Sequence, residues 1–125
     1  MNKDEWNDYL QKIAEKINSY SECREFFEAL GKVTFQYKVT DKPEYSFYQE
    51  YTPTSLQIHL GTMQDPTVTH IMRFDIIREV FAGNINPIDA TAEGNYAVEG
   101  NMAKLLKAAG LIPYIKRAHT EISKI

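Results

Sequence analysis

Residues 83–112 read GNINPIDATAEGNYAVEGNMAKLLKAAGLI, and the order of their glycines and caps predicts a helix, a brief strand and a second helix. Asn86 followed by Pro87 is typical of a helix start, because asparagine caps a helix and proline fits its first position. Gly94 ends that short helix, since glycine accepts the backbone conformation that stops a helix. Asn101 is a second candidate cap, and the apolar residues after it predict a hydrophobic helix.

Upstream of this stretch, the spacing of apolar residues predicts two helices. A stripe at intervals of three and four begins at Trp6 and continues to Ile17, which indicates an amphipathic helix. Ser19 and Glu22 are spaced as a capping box, so we expect a second helix that ends at Gly31.

The apolar period then falls from 3.6 to 2, which is typical of strands with one buried face. Residues 33–39 alternate in this way, residues 45–51 and 56–60 form two further candidate strands, and residues 67–72 form a short fourth one. Short turns join them, so an antiparallel sheet is expected.

After the strands the helical period returns, and it recurs at the end of the sequence. Phe74, Ile77 and Phe81 lie on one helical stripe, and residues 113–125 predict a last amphipathic helix. The fold class is therefore α+β, with a mainly antiparallel sheet of about five strands covered on one face by helices. We expect a single domain over residues 1–125, with the extra helix at about 113–125.

Composition excludes several classes of protein. The chain has 125 residues, 43% of them apolar, so it has enough apolar surface for one sizeable core. Charged residues occur from Lys3 onward, so we expect neither a signal peptide nor a membrane span. Cys23 is the single cysteine, which suits a reducing compartment, and we expect a cytoplasmic protein. The net charge of −3 argues against a nucleic-acid partner.

The stretch quoted above resembles the C-terminal half of the sterol carrier protein 2 domain. The matching positions are those of a helix ending in glycine, a proline four residues on, a second glycine, a brief strand, and Gly-Asn opening a hydrophobic helix. In this sequence they are Gly83, Pro87, Gly94, Gly100 and Asn101. The upstream order of helices and strands is also similar to that family, from about residue 6 to about residue 112.

The resemblance implies an apolar tunnel between sheet and helices that binds sterols, fatty acids or fatty acyl-CoA without changing them. Neither a cofactor nor a metal is expected. Resemblance and periodicity together give the candidate lining of the tunnel. These residues are Phe35, Tyr37, Phe47, Ile58, Phe74, Ile77, Val80, Phe81, Met102, Leu105, Leu106 and Ala109.

The last 25 residues are basic, with five basic side chains and one acidic one. Lys104, Lys107, Lys116 and Arg117 are candidates for contact with an acidic headgroup or an anionic membrane surface. A solvated helix face explains the same charges equally well. The helix beyond residue 112 is open to three roles: a cover over the tunnel mouth, a lid, or a contact with a partner that includes a second copy of the chain.

Several alternatives stay open at this point. The apolar stripes are equally typical of an ordinary filled core. A second candidate function is that of an accessory subunit that uses the same groove to bind a lipid-handling enzyme. Isomerase chemistry would need a buried carboxylate, for which Asp75 and Asp89 are the candidates. The tyrosines at 45, 48 and 51 are candidate partners of a polar headgroup. Ser123-Lys124-Ile125 resembles a peroxisomal address, although isoleucine in last place weakens that interpretation.

Overall fold

The structure is a computed structural model that describes residues 1–123. Within that range the chain forms six α-helices and one five-stranded sheet, joined in places by single 3₁₀ turns. In chain order these elements are α1 (Lys3–Ser19), α2 (Arg24–Leu30), β1 (Val33–Val39), β2 (Phe47–Thr52), β3 (Ser55–Leu60), β4 (Val68–Met72), α3 (Phe74–Ala82), α4 (Pro87–Ala92), β5 (Tyr96–Gly100), α5 (Met102–Ala108) and α6 (Ile112–Ser123). Lys124 and Ile125, and with them the end of the predicted last helix and of the Ser-Lys-Ile tripeptide, lie outside the described residues.

Helix α1 begins with a reciprocal cap. The Asn2 side chain accepts a hydrogen bond from the backbone N–H of Glu5 at 2.8 Å, and the Glu5 carboxylate accepts one from the N–H of Asn2 at 3.0 Å. Two amides that have no partner inside the helix are thereby satisfied. The capping box predicted at Ser19 and Glu22 is wrong, because Ser19 is the last residue of α1 and its hydroxyl donates to the carbonyl of Lys16.

The sheet has the strand order β3-β2-β1-β4-β5. Three of its four pairings are antiparallel, and β1 pairs with β4 in parallel, with Phe35 opposite Val68. The α+β class and the five mainly antiparallel strands are confirmed. The parallel pair arises because the chain returns to the free edge of β1 after the β2–β3 hairpin.

Trp6 is the centre of the core. Its side chain is fully buried and packs edge-on against Phe47 of β2 at 5.8 Å and Phe74 of α3 at 5.0 Å between ring centroids. Its indole N–H donates to the carbonyl of Tyr45 at 3.0 Å, so the polar atom of this large side chain is also satisfied. Trp6 therefore joins α1, the sheet and α3.

Helix α6 packs against α1 and α3. The Tyr9 hydroxyl of α1 lies 2.8 Å from Nδ1 of His119, and Lys16 pairs with Glu121 at 3.3 Å. Ala118 of the same helix is fully buried. None of the helices within the described range has both the length and the apolar composition to cross a bilayer.

Gly100 ends β5 in a conformation that other residues adopt only with strain. Its φ is +116°, and a Cβ there would lie 2.5 Å from the backbone carbonyl oxygen of Thr67. We expect Gly100→Ala to lower the free energy of unfolding by roughly 1–3 kcal/mol, measured by urea denaturation. Gly94→Ala is the matched control, since Gly94 also has a positive φ but no described residue lies within 4 Å of the new methyl group. An equal loss in both variants would show that the contact with Thr67 contributes nothing.

Candidate functional site

An apolar cavity of about 190 Å³ lies between the sheet and the helices from α3 onward. Inward-facing side chains of β1, β2, β4 and β5 form its floor, and α3 to α6 with the turn between α5 and α6 form its other walls. The lining residues are Phe35, Tyr37, Gln49, Tyr51, His70, Val80, Phe81, Pro87, Ile88, Thr91, Tyr96, Val98, Leu105, Leu106, Ala108, Ala109, Leu111, Ile112 and Ile115.

The period of two along the strands places the floor residues on one face. Phe35 and Tyr37 are separated by one residue in β1, as are Gln49 and Tyr51 in β2. Strand pairing then brings them side by side, with Phe35 opposite Gln49 and Tyr37 opposite His70. The floor is thus a continuous patch across neighbouring strands.

The cavity opens to solvent where three helices present exposed apolar side chains. Ile88 of α4 is 75% exposed, Leu106 of α5 is 74% exposed and Ile112 at the start of α6 is 38% exposed, and all three also line the cavity. We call these three residues the mouth. Large apolar side chains in such a position are typical of a binding site rather than of a closed core.

The floor carries a small polar network made of neutral groups. The hydroxyls of Tyr37 and Tyr51 lie 3.3 and 3.2 Å from the Gln49 side-chain oxygen, and the Tyr96 hydroxyl lies 2.8 Å from Nδ1 of His70. Burial raises the pKa of each of these three tyrosines above its ordinary value, and it lowers the pKa of His70 to about 4. At neutral pH the floor therefore holds polar atoms without net charge.

Acidification is expected to destabilise the protein through His70. The pKa of this imidazole is about 6.5 when unperturbed and about 4 in the folded chain. Between those two pH values the unfolded chain binds a proton that the folded chain does not. The contribution of neutral His70 to the free energy of unfolding is therefore complete above pH 6.5 and is lost as the pH falls to 4. The difference corresponds to roughly 3 kcal/mol of unfolding free energy, measured by urea denaturation at several pH values.

The contribution of His70 is separated from that of other groups by substitution. His70→Phe keeps an aromatic ring beside Tyr37, on which the imidazole stacks at 4.3 Å, but removes the titration. We expect this variant to lose most of the slope between pH 6.5 and 4, while His59→Phe on the half-buried edge of β3 keeps it. The same slope in both variants would contradict the assignment to His70.

The sequence profile of the SCP-2 sterol transfer family matches residues 10–113, a range that includes every lining residue except Ile115. The chain belongs to this family. A search of curated proteins found no significant match.

Solved structures place the chain in the SCP-2 fold. A structure described as UbiJ-SCP2, a ubiquinone synthesis protein, superposes with a TM-score of 0.71 at 9% identity, over 88% of this chain and 94% of that one. Sterol carrier protein domain 2 of Helicoverpa armigera gives 0.67 at 19% identity, over 87% and 86% of the two chains. The inverting sec-alkylsulfatase Pisa1 from Pseudomonas sp. gives 0.60 at 16% identity, over 70% of this chain but only 14% of the sulfatase. At these identities the likeness shows the fold alone.

The structure brings together seven of the twelve residues predicted to line a tunnel in this SCP-2 chain. These seven are Phe35, Tyr37, Val80, Phe81, Leu105, Leu106 and Ala109. Their role in ligand binding stays a prediction.

The other five predicted lining residues lie away from the cavity. Phe47, Phe74, Ile58 and Ile77 are buried in the filled core, where the first two pack against Trp6. They share their stripes with residues that reach the cavity, and periodicity does not distinguish the two environments. The fifth residue, Met102, is the first residue of α5 and is 44% exposed on the surface.

The four basic residues predicted for headgroup docking do not form one cluster. The Lys104 ammonium donates to the carbonyl of Leu30 at the end of α2, at 2.9 Å. Arg117 pairs with Glu22 and Glu121, each at 2.9 Å, and lies over the ring of Tyr20. The aliphatic part of the Lys116 side chain packs over Gly83. Lys107 is exposed on α5 and has no hydrogen-bond or ion-pair partner among residues 1–123.

The tyrosines predicted as headgroup partners have three different environments. Tyr45 is buried in the core against Phe74, at 4.7 Å between ring centroids, and Tyr48 packs against His59 away from the cavity. Tyr51 alone lies on the cavity floor. The sequence analysis missed Gln49, although a polar residue at an inward position of an apolar strand was a signal for it.

The candidate catalytic carboxylates lie outside the cavity. Asp75 is exposed and pairs with Arg73 at 3.2 Å, and Asp89 is exposed in the first turn of α4. Cys23 is buried, and burial raises its pKa to about 11, so its thiol is protonated at neutral pH. Within residues 1–123 no group of three or more histidine, cysteine or acidic side chains is placed to hold a metal ion.

Proposed function

We propose that this SCP-2 chain binds and carries an apolar lipid, such as a sterol, a fatty acid or a fatty acyl-CoA, without changing it chemically. The observation that supports this best is the apolar cavity of about 190 Å³ between sheet and helices, which opens at the exposed mouth residues Ile88, Leu106 and Ile112. Removal of an alkyl chain from water supplies the affinity, at about 0.8 kcal/mol for each buried methylene.

A whole lipid needs more room than the cavity now offers, because pockets that enclose small ligands usually measure roughly 300–1,000 Å³. The additional space is expected from α5. This helix has seven residues and buries none of them fully, so fewer apolar contacts hold it than hold the helices with fully buried residues. We infer that α5 shifts when the chain takes up a ligand. The apolar cavity then lengthens into the tunnel that the family resemblance implies.

The mouth also suits transient contact with an anionic membrane. Lys107 projects from the same helix as Leu106, and an exposed cation beside exposed apolar groups favours the surface of an anionic bilayer. Co-sedimentation of the protein with vesicles that contain phosphatidylserine tests this contact. The contact is supported if added salt and the variant Lys107→Gln each reduce the amount of protein that sediments with the vesicles. Equal sedimentation with neutral vesicles contradicts it.

A displacement assay with a fluorescent fatty acid tests the proposed function. Acyl chains or sterols should compete with the probe at micromolar concentrations, and Leu106→Glu at the mouth should weaken probe binding at least tenfold, because a carboxylate is costly to place against an alkyl chain. Met102→Glu is the matched control, since Met102 is an exposed apolar residue of the same helix that does not line the cavity. Failure of every acyl chain and sterol to compete, or equal weakening by both variants, contradicts the proposal.

A second candidate function is that of an accessory module that holds a lipid-handling enzyme. The exposure of Ile88 and Leu106 favours it, because the same apolar patch can contact a protein. A domain of this fold also forms 14% of the Pisa1 sulfatase. Co-purification with an enzyme while the isolated chain binds no lipid would favour this function, and light scattering distinguishes it from pairing between two copies of the chain.

A further inference from the structure

Two buried nitrogen atoms on the cavity floor have no hydrogen-bond partner within the part of the chain that the structure describes. They are Nε2 of Gln49 and Nε2 of His70, in side chains whose residues are 1% and 6% exposed. Both residues line the cavity. An unpaired polar group that is buried costs free energy comparable to a lost hydrogen bond, so such groups usually have a partner that is a ligand or a water.

The neighbouring tyrosines fix Gln49 as a hydrogen-bond donor toward the cavity. When its side-chain oxygen faces the hydroxyls of Tyr37 and Tyr51, both phenolic protons have an acceptor. In the opposite orientation the amide nitrogen would face the two hydroxyls, and the phenolic protons would lose the Gln49 oxygen as their acceptor. The amide nitrogen therefore has N–H to offer and no acceptor among residues 1–123.

The same reasoning fixes the tautomer of His70. If the Tyr96 hydroxyl donates to Nδ1, one group has no partner among the described residues, namely the N–H at Nε2. If Nδ1 carried the proton instead, both the Tyr96 proton and the lone pair at Nε2 would lack partners in the described range. The first arrangement is the more stable one, so His70 also presents an N–H donor.

The two donors lie on the strands that flank β1, and Tyr37 contacts both of their side chains. Its hydroxyl reaches Gln49, and its ring stacks on the imidazole of His70 at 4.3 Å with an angle of 5° between the planes. The surrounding walls are apolar, and among residues 1–123 no charged side chain lines the cavity. A carboxylate in this place would lose its hydration without gaining a counter-charge, which disfavours an anionic group.

We propose that the ligand carries an uncharged acceptor oxygen, as in a ketone, an ester or an alcohol, at the end that enters the cavity first, and that this oxygen accepts a hydrogen bond from Gln49 or His70. This inference rests on the proposed function and specifies its ligand class. It also sets the direction of binding: the uncharged oxygen lies at the floor, and the apolar remainder extends toward the mouth.

The test compares two probes of eight carbons, methyl hexyl ketone and octane, whose binding is followed in the nitrogen–proton spectrum of the labelled protein. The ketone should shift the side-chain amide signal of Gln49 or the ring N–H signal of His70, and octane should not produce that shift. Gln49→Leu should weaken ketone binding about tenfold and leave octane binding the same or tighter. The affinity of each probe for a variant is compared with the affinity of the same probe for the unmodified protein, so the different solubilities of the two probes do not affect the result.

Two further variants complete the design. Gln57→Leu makes the same change at an exposed position of β3 and should alter neither affinity. His70→Phe removes the second donor and keeps an aromatic ring on Tyr37, so the ketone is tested even if Gln49→Leu does not fold. In the unmodified protein, the carbon-13 signal of the bound ketone carbonyl should move downfield of its position in an alkane solvent.

The outcomes separate the two claims. The inference is overturned if each probe binds the native chain and both floor variants with the same affinity and the carbonyl signal does not shift. The proposed function then still stands, with water as the partner of the donors. Failure of both probes to bind also overturns the inference, and the proposed function is overturned only if every acyl chain and sterol fails in the displacement assay as well.

Discussion

Substitution of Ala108 by phenylalanine is expected to weaken the binding of a fluorescent fatty acid by roughly a hundredfold. Ala108 is the last residue of α5, and it lines the cavity and packs against the core. A phenyl ring there occupies space that would otherwise hold about four methylenes of the ligand, at about 0.8 kcal/mol each. Titration of the probe into the variant measures the effect.

The matched control is Ala103→Phe, which makes the same change in the same helix. Ala103 is exposed and does not line the cavity, so this variant should bind the probe like the unmodified chain. Full affinity in Ala108→Phe would mean that the probe binds elsewhere on the protein. A loss of equal size in Ala103→Phe would mean that α5 itself, and not the space beneath it, determines affinity.

Substitution of Trp6 by alanine is expected to lower the free energy of unfolding by about 3–5 kcal/mol. The indole is fully buried, and its removal leaves a space between α1, Phe47 and Phe74 and leaves the carbonyl of Tyr45 without its donor. For a domain of this length such a loss is a large fraction of the total stability. Urea denaturation followed by circular dichroism measures it.

Trp6→Phe is the control for this prediction. It keeps an aromatic ring between the helices and the sheet and removes mainly the indole hydrogen bond, so its cost should be clearly smaller than that of the alanine variant. A loss below about 1 kcal/mol in Trp6→Ala would contradict the position of Trp6 at the centre of the core.

The elements of the fold were predictable because their signals are local. The period of two in residues 33–39 and the cap at Asn86-Pro87 each specify an element through neighbouring residues, and the structure has a strand and a helix there. The parallel pairing of β1 with β4 is different, since it depends on the order in which the chain returns to the sheet. No short stretch of sequence encodes that return.

The limits of the cavity were less predictable than the elements. Phe74 and Phe81 lie on one helical stripe, yet Phe74 packs on Trp6 in the core while Phe81 reaches the cavity wall. The difference arises from which element covers each end of α3. Spacing along one helix carries no information about the distance to the next helix, so a filled and a hollow interior give the same pattern.

The polar floor follows from strand pairing. Gln49 and His70 are 21 positions apart in the sequence, and they meet the same cavity because β2 and β4 flank β1. Once that strand order is known, the alternation within each strand identifies both residues as inward-facing. The tertiary arrangement therefore turns two unremarkable polar residues into the candidate ligand contacts.

The most direct test of the cavity as a lipid site is the detection of nuclear Overhauser effects between a bound fatty acid and methyl groups of the protein. Alkyl-chain protons of the ligand should give such effects to Val98 of β5, Leu105 of α5 and Ile115 of α6, because all three line the cavity. Effects confined to the surface methyl groups of Ile88 and Leu106, or no effects at a concentration that saturates the probe, would contradict binding between the sheet and the helices.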